Sequence, residues 1–550
     1  MALHMENLLE TQPRPQMKAT GERRSRAGWE GRRRGLHGLT QGESHGDGIQ
    51  DGVLGPAALG LRGKIRIRPE GPERAADSAR EQADSTGLCS VRHGLAVLFH
   101  LCNILIGTQQ MNLSIALPAM VNVTVLPGAP PDGPPADAQD SSNDTAKEPE
   151  ALAPVYDWSP EAQGFLLSAL SVGSFLASIP SGFVVGVCGV KYPVGVAMLA
   201  SSVLNLFVPL AADAGVASLF ALRTVQGVAQ VVVSVGQYAA WVKWAPALEK
   251  NQLVAIAASG LMLGTLTIFL VGGFLCQTLG WPSVFYVFGG VGCACSCLWF
   301  PLVYDDPADH PFIGTGERDH IMRSRAQQDS AADWSLPVKA MSTSLPLWGI
   351  LVFYFSEYWL VYMKFAYMPT YLSSVLGLSL TNSGFLLALL LAASFASAVL
   401  GGLLADFLLS REVLRLVVIR KLLTAAGVLF PAASFACLHW VRSSLGVTVA
   451  LLVVGSVTNS LCLIGALINF LDIAPRYAGS LQGFLLLFSQ VSGAISTTVA
   501  GALISQDAEL GWRNTFLLSA AISVAGLLAY LVLGRAEVQD WARDETPTRL

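Results

Sequence analysis

The sequence predicts an all-α membrane protein of twelve spanning helices, arranged as two related six-helix halves. Three observations predict it: twelve long apolar runs, scarce charge, and short motifs that recur at nearly one offset. The chain is 52% hydrophobic and only 13% charged, whereas soluble domains carry nearly twice that charged fraction. A helix needs about 20 apolar residues to cross a bilayer core. Runs of that order cover 91–121, 159–187, 192–212, 215–242, 253–275 and 283–303 in the first half. The second half holds 347–375, 383–409, 416–440, 445–473, 479–504 and 515–533.

Residues 1–88 precede the first run and differ from everything after them. They are rich in Gly, Arg, Glu, Gln and Ser, which predicts a disordered cytoplasmic tail. The cluster Arg23, Arg24, Arg26, Arg32, Arg33 and Arg34 reads as a solvated face. Contact with anionic lipid or a transit peptide are the other readings, and Glu22 and Glu30 weaken the latter. No cleavable secretory signal is evident, so the first span is expected to start insertion. The six-helix halves are expected over 89–303 and 346–534, joined by a polar cytoplasmic linker at 304–345. A cytoplasmic tail is expected over 535–550.

The loop 122–158 is rich in Pro, Asp and Ala and holds two glycosylation acceptors, Asn122 with Thr124 and Asn143 with Thr145. A third tripeptide begins at Asn112 inside the first run and is expected to stay unmodified. Lys191, Lys243, Lys250, Arg411, Arg415, Arg420, Lys421, Arg476 and Arg535 fall in the even-numbered connections or the tail. The opposite connections hold only Lys147, Arg442 and Arg513. Basic residues favour the cytoplasm, so both termini are expected inside and the 122–158 loop outside. The last residues, Thr548, Arg549 and Leu550, match the C-terminal pattern that adds as a strand to PDZ domains, which would tether the chain at an apical epithelial surface.

The duplication is visible in the residues. Leu279, Gly280, Trp281 and Phe285 recur as Leu510, Gly511, Trp512 and Phe516. Ala245 and Pro246 before Glu249 and Lys250 recur as Ala474 and Pro475 before Arg476. Gly182 and Gly186 before Lys191 recur as Gly402 and Asp406 before Arg411. The three pairs keep their order at offsets of 231, 229 and 220, by subtraction of Leu279, Ala245 and Gly182 from their counterparts. Parallel six-helix repeats around a central site are the major facilitator architecture. The nine cysteines show no metal or disulfide spacing and read as small packing residues, as Gly260 and Gly264 read as close helix contacts.

Longer motifs then carry a resemblance. Trp241, Val242, Lys243, Trp244, Ala245, Pro246, Leu248 and Glu249 resemble the helix 4–5 signature of solute carrier family 17. Tyr304 to Pro307 and Leu471 to Tyr477 resemble two more of its motifs. The resemblance runs from about Ser90 to Leu550 and is strongest to the type I sodium/phosphate cotransporter branch. It implies a carrier of anions such as urate and other organic acids, and the plasma membrane is the expected location. The vesicular glutamate members of that family carry arginines in helices 1, 4 and 7 and a glutamate in helix 4. Here the helix 4 arginine is Arg223, while the other positions read Gln110, Glu357 and Gln230. These departures argue against glutamate transport and against proton coupling of that kind.

Arg223 is the sharpest single residue, because a mid-membrane charge costs roughly 2.5–3.5 kcal/mol on insertion scales and faces a cavity or a partner. Gln230 and Gln237 follow at spacings of seven and share its face. Two readings stay open: a polar stripe lining the pathway with Arg223 attracting an anion, or a buried pair of Arg223 with an acid such as Glu357. On helix 7, Tyr354, Tyr358 and Tyr362 sit four apart on one face. That suits either a planar heterocyclic anion or plain packing. Glu357 and Lys364 are two turns apart and able to neutralise each other; Gln109 and Gln110 offer hydrogen bonds to substrate or to a neighbouring helix. Glu249, Lys250, Asp406, Arg411, Asp472 and Arg476 lie at helix ends on the cytoplasmic side and read as gating pairs that break and reform in alternating access.

No phosphate loop, nucleophile elbow or metal-ligand pair stands out, so the chain is expected to be a non-enzyme without cofactor. Sodium or chloride dependence stays open. Export or exchange of organic anions driven by membrane potential is the leading expectation. Sodium-coupled phosphate cotransport and a non-transporting receptor or scaffold are the rivals.

Overall fold

The computed structural model describes residues 90–121, 156–246, 249–329 and 337–542. Among them there is no strand, only an isolated bridge between Val121 and Tyr156. The first half holds α1 (Val91–Met120), α2 (Pro160–Cys188), α3 (Lys191–Leu206, resuming as Val208–Asp213), α4 (Val216–Trp244), α5 (Lys250–Thr267, continuing to Thr278) and α6 (Pro282–Leu302). The second half holds α7 (Leu345–Ser374), α8 (Leu380–Ser410), α9 (Leu416–Val441), α10 (Leu445–Asn459, continuing to Ile473), α11 (Ala478–Gln506) and α12 (Ala508–Leu533). The Asn122 and Asn143 acceptors, the Arg23–Arg34 cluster and the Thr548–Leu550 terminus lie outside the described residues.

Among the described residues, eleven helices are long and apolar enough to cross a membrane. The twelfth expected span, α3, is interrupted at Phe207. Pro209 has no N–H to give to Asn205 four residues back, so the ladder breaks there. Asn205 instead donates its side-chain amide to the Phe285 carbonyl at 2.9 Å and accepts from Asn112 at 2.6 Å. Single π turns interrupt α5 at Ile268–Gly272 and α10 at Leu463–Leu467.

Helix pairing repeats between the halves. α1 packs on α5, α2 on α4 and α3 on α6, just as α7 packs on α11, α8 on α10 and α9 on α12. Across the halves the strongest contacts are α2 with α11 and the α5 end with α8, which occupy corresponding positions. Glycines allow the closest of these approaches. A Cβ at Gly264 would sit 2.1 Å from the Ile104 carbonyl oxygen, and one at Gly260 2.1 Å from that of His100. The sequence reading of those two glycines as close helix contacts therefore holds, and the structure shows the partner to be α1.

One core joins the halves on the face that carries residues 121 and 156, here the loop face. It draws buried residues from all twelve helices, including Leu117, Phe269, Trp281, Phe285, Tyr371, Ala500, Trp512 and Phe516. On the opposite face, which carries the 303–344 linker, the cores separate. One, around Phe99, Trp241, Trp244 and Trp299, belongs to the first half. Two others, around Phe353, Phe470 and Tyr530 and around Ile419 and Leu423, belong to the second. The halves are thus closed together at the loop face and parted at the linker face.

At the linker face each half is clasped by the segment that leaves its last helix. After α6, Glu317 accepts hydrogen bonds from the Val91 and Arg92 amides at 3.0 and 3.1 Å, at the N-terminus of α1. Those amides have no intrahelical partner. Trp244 donates to the Tyr304 carbonyl at 3.0 Å, and His310 lies edge-on to both rings. Burial pushes the His310 imidazole below its usual pKa. After α12, the Gln539 amide donates to the Ile473 carbonyl at 2.9 Å and Trp541 packs beside Tyr477. The two clasps grip the α4–α5 and α10–α11 junctions, where the sequence carries its Ala-Pro repeat.

Candidate functional site

A carrier's pathway runs between its halves, so the candidate site is built from the side chains that face that division. Tyr354, Tyr358 and Tyr362 rise along one face of α7. Their rings follow one another with centroids 5.7 and 6.3 Å apart. Tyr354 is buried and donates to the Leu467 carbonyl in the π turn of α10 at 2.7 Å. Tyr358 and Tyr362 are half-buried. Tyr362 donates to Gln490 of α11 at 3.0 Å, and its hydroxyl also meets Ser171 of α2, a residue of the other half. Tyr238 of α4 lies close enough to Tyr354 and Tyr358 to act on them electrostatically and is 47% exposed. An aromatic hydroxyl of the first half therefore lies in the neighbourhood of those on α7. Such a wall offers flat apolar faces with polar tips.

Arg223 lies inside the first half rather than on this wall. It is 1% exposed and donates to the Gln226 side chain at 2.8 Å and to the Gln109 carbonyl at 3.3 Å, and its Nε has no partner. No carboxylate among the described residues pairs with it. The Glu357 pairing does not form: Glu357 accepts from Asn459 of α10 at 2.6 Å, and its second oxygen is buried without a partner. The seven-residue stripe is real but covered in this state by α1 and α3. Gln230 donates to Ser201 at 3.3 Å, and Gln237 accepts from Asn103 at 2.9 Å. Gln109, Ser201, Ser202 and Gln226 complete the network. Gln110 is half-buried beside it. A neutral amide and hydroxyl shell leaves the guanidinium charge uncompensated, which is what an anion-attracting group needs.

The charged helix ends pair within their own halves. Glu249 binds Arg92 at 2.7 Å, and Asp472 binds Arg420 through two contacts at 2.8 and 3.1 Å. Arg420 also donates to the Ile464 carbonyl. Arg411 sits over the Phe407 ring at 5.8 Å; Lys250 is half-buried at the start of α5, Asp406 lies four residues before the end of α8, and the Arg476 side chain lies outside the described residues. The sequence reading identified the two acids but missed Arg92. It missed Tyr238, Asn459 and Gln490 too, whose only signal was a polar residue inside an apolar run.

Comparisons with known proteins bear on the family and the fold. A family model described as "Major Facilitator Superfamily" matches residues 99–497. A Homo sapiens protein named "Probable small intestine urate exporter" is 59% identical over 475 residues, which is 86% of this chain and 96% of that protein. A Mus musculus protein named "Sodium-dependent phosphate transport protein 3" is 46% identical over 468 residues, 84% of this chain and 98% of that protein. Among solved structures, a bacterial homolog to the human lysosomal transporter Spinster, inward-facing and unoccupied, matches with a TM-score of 0.62. It is 14% identical over 81% of this chain and 98% of its own. A D-xylose-proton symporter matches with a TM-score of 0.60, 13% identical over 81% of this chain and 99% of its own. At that identity these structures speak for the fold alone.

Proposed function

The chain belongs to the Major Facilitator Superfamily and, within it, to the type I sodium/phosphate cotransporter branch of solute carrier family 17, and we propose that it carries organic anions such as urate by alternating access. The observation that carries the substrate class is the 59% identity, over nearly its whole length, of a relative named for urate export. The tyrosine wall and the uncompensated Arg223 agree with it. Urate is a planar heterocyclic monoanion, whereas a divalent phosphate would want several cationic donors. With both termini in the cytoplasm, the parted linker face opens inward, and this structure is the state that loads cytoplasmic anion. Alternating access then requires the loop-face core to open and the linker-face junctions around Glu249, Lys250, Asp406, Arg411, Asp472 and Arg476 to meet. We place the carrier in the plasma membrane of an epithelium, on the apical side. Glycans are assigned to Asn122 and Asn143, and a PDZ-domain partner to the Thr548–Leu550 terminus. It has no catalytic role.

The driving force is argued from Gln230, which cannot take up and release a proton, so unless Glu357 substitutes for it proton coupling lacks a carrier. Membrane potential remains. One elementary charge crossing 100 mV is worth about 2.3 kcal/mol, so about 60 mV gives roughly 1.4 kcal/mol, or tenfold in concentration. An inside-negative cell would expel a monovalent anion without a coupled ion. The test is flux of labelled urate and of phosphate in proteoliposomes under imposed voltage at fixed pH, with and without sodium, alongside Arg223→Ala. Voltage-dependent urate flux that Arg223→Ala abolishes supports the reading. Flux that ignores voltage and follows a sodium gradient with phosphate as substrate would replace it with the cotransporter.

A further inference from the structure

Among the described spans, Arg223, Glu357 and Lys364 are the only Lys, Arg, Asp or Glu side chains at least two turns from either helix end. Arg223 donates to two amide oxygens of its own half, the Gln109 carbonyl and the Gln226 side chain. Glu357 and Lys364 lie two turns apart along α7, one residue around the helix from the tyrosine wall. Both face the second half. Glu357 is 3% exposed and held by Asn459. Lys364 lines a crevice between α7, α9 and α10 together with that same Asn459, Ser434 and Ser456. No ion pair closes between them within 4.0 Å, yet each is the other's nearest mid-membrane countercharge, and they interact electrostatically.

We infer that the Glu357–Lys364 couple sets the valence of the anion that the carrier accepts. The inference rests on the reading of the chain as an anion carrier and deepens it. An uncompensated charge in the low-dielectric interior is costly. The couple sums to zero, so Arg223 leaves one positive charge to be met. A monovalent anion completes neutrality. A divalent anion overshoots it and is rejected by the charge left over, the repulsive element that specificity requires. Removing Glu357 leaves two positive charges and favours divalent anions. Removing Lys364 leaves none and weakens anion entry of every valence.

The experiment compares flat aromatic anions that differ in valence. Uptake of benzoate and phthalate, with urate alongside, is measured in proteoliposomes at mildly alkaline pH for the wild type, Glu357→Gln, Lys364→Met and the double variant. Glu357→Gln is expected to raise the phthalate-to-benzoate ratio by about tenfold, the factor that 1.4 kcal/mol of differential stabilisation provides. Lys364→Met is expected to lower uptake of both anions, and the double variant to restore the wild-type ratio. A ratio unchanged in Glu357→Gln, or one that stays raised in the double variant, would overturn the inference. If Glu357→Gln does not accumulate, the swap of Glu357→Lys with Lys364→Glu keeps the sum at zero. It must then keep the wild-type ratio, and a shifted ratio counts against the couple. A wild type that ignores urate but shows these ratios refutes the urate reading while the couple stands. One that carries urate without them does the reverse.

Discussion

Gly164 of α2 and Gly501 of α11 bring the two halves into contact at the loop face, and replacing Gly164 by alanine should pry that face open. A Cβ at Gly164 would lie 2.7 Å from the Thr497 carbonyl oxygen and 3.0 Å from the Gly501 Cα. Both are backbone atoms of α11 and cannot swing aside. The third neighbour, the Tyr367 hydroxyl at 2.9 Å, is fixed by its bond to the Thr497 carbonyl. Overpacking of this kind costs about 1–3 kcal/mol. These contacts cross between halves that must part at the loop face in the other state, so the cost falls on the loop-closed state alone. The equilibrium between states then shifts by roughly 5- to 150-fold toward loop-face opening. The readout is the rate at which a membrane-impermeant maleimide labels a cysteine placed at Ala366, which is 8% exposed in the shared core. Gly164→Ala should raise that rate by a factor in this range. Gly264→Ala, whose clash with Ile104 lies within one half, should lower thermal stability without changing labelling. Equal labelling in the wild type and in a folded Gly164→Ala variant would refute the assignment of α2–α11 as a contact specific to this state.

The linker face yields two further predictions. Arg420 is 4% exposed and binds Asp472 through two bonds, so Arg420→Ala strands a carboxylate that is only 15% exposed and should cost up to roughly 3–5 kcal/mol. Thermal unfolding in detergent should show the loss, and Arg420→Ala with Asp472→Asn should recover much of it. Glu317→Ala removes the acceptor of two α1 amides and frees Arg92 from one of its acids. The loss of capping should cost about 0.5–2 kcal/mol and release the linker helix Thr315–Asp329, read as faster proteolysis within 304–329. Unchanged protease resistance would refute the assignment of Glu317 as the residue that holds the linker helix against α1.

Much of the fold could be read from residue order. Apolar length alone places eleven spans within a few residues of their ends, because bilayer thickness sets helix length irrespective of neighbours. The exceptions are local. α12 starts at Ala508, two turns before the apolar run at 515, because its first turns are polar yet still helical. α3 breaks at Pro209, where the sequence shows the proline but not that Asn205 will use its side chain elsewhere. Position in the chain also identifies Arg223 and the tyrosine spacing, since a charge in an apolar run and a four-residue repeat need no partner to be seen.

What the sequence by itself determined is therefore whatever depends on one helix at a time: the span count, the charge bias of the connections, the duplicated motifs and the rare mid-membrane charges. Partners were decided only by tertiary structure. Arg223 meets Gln109 rather than Glu357, Glu357 meets Asn459, and Glu249 meets Arg92. The physical reason is that a hydrogen bond or ion pair needs contact within a few ångströms. Residues separated by a hundred positions reach that contact only through the crossing of helices, which depends on glycine approaches and ridge packing along their whole lengths. Which face is closed was decided in the same way, by a single core shared among all twelve helices at one end and separate cores at the other.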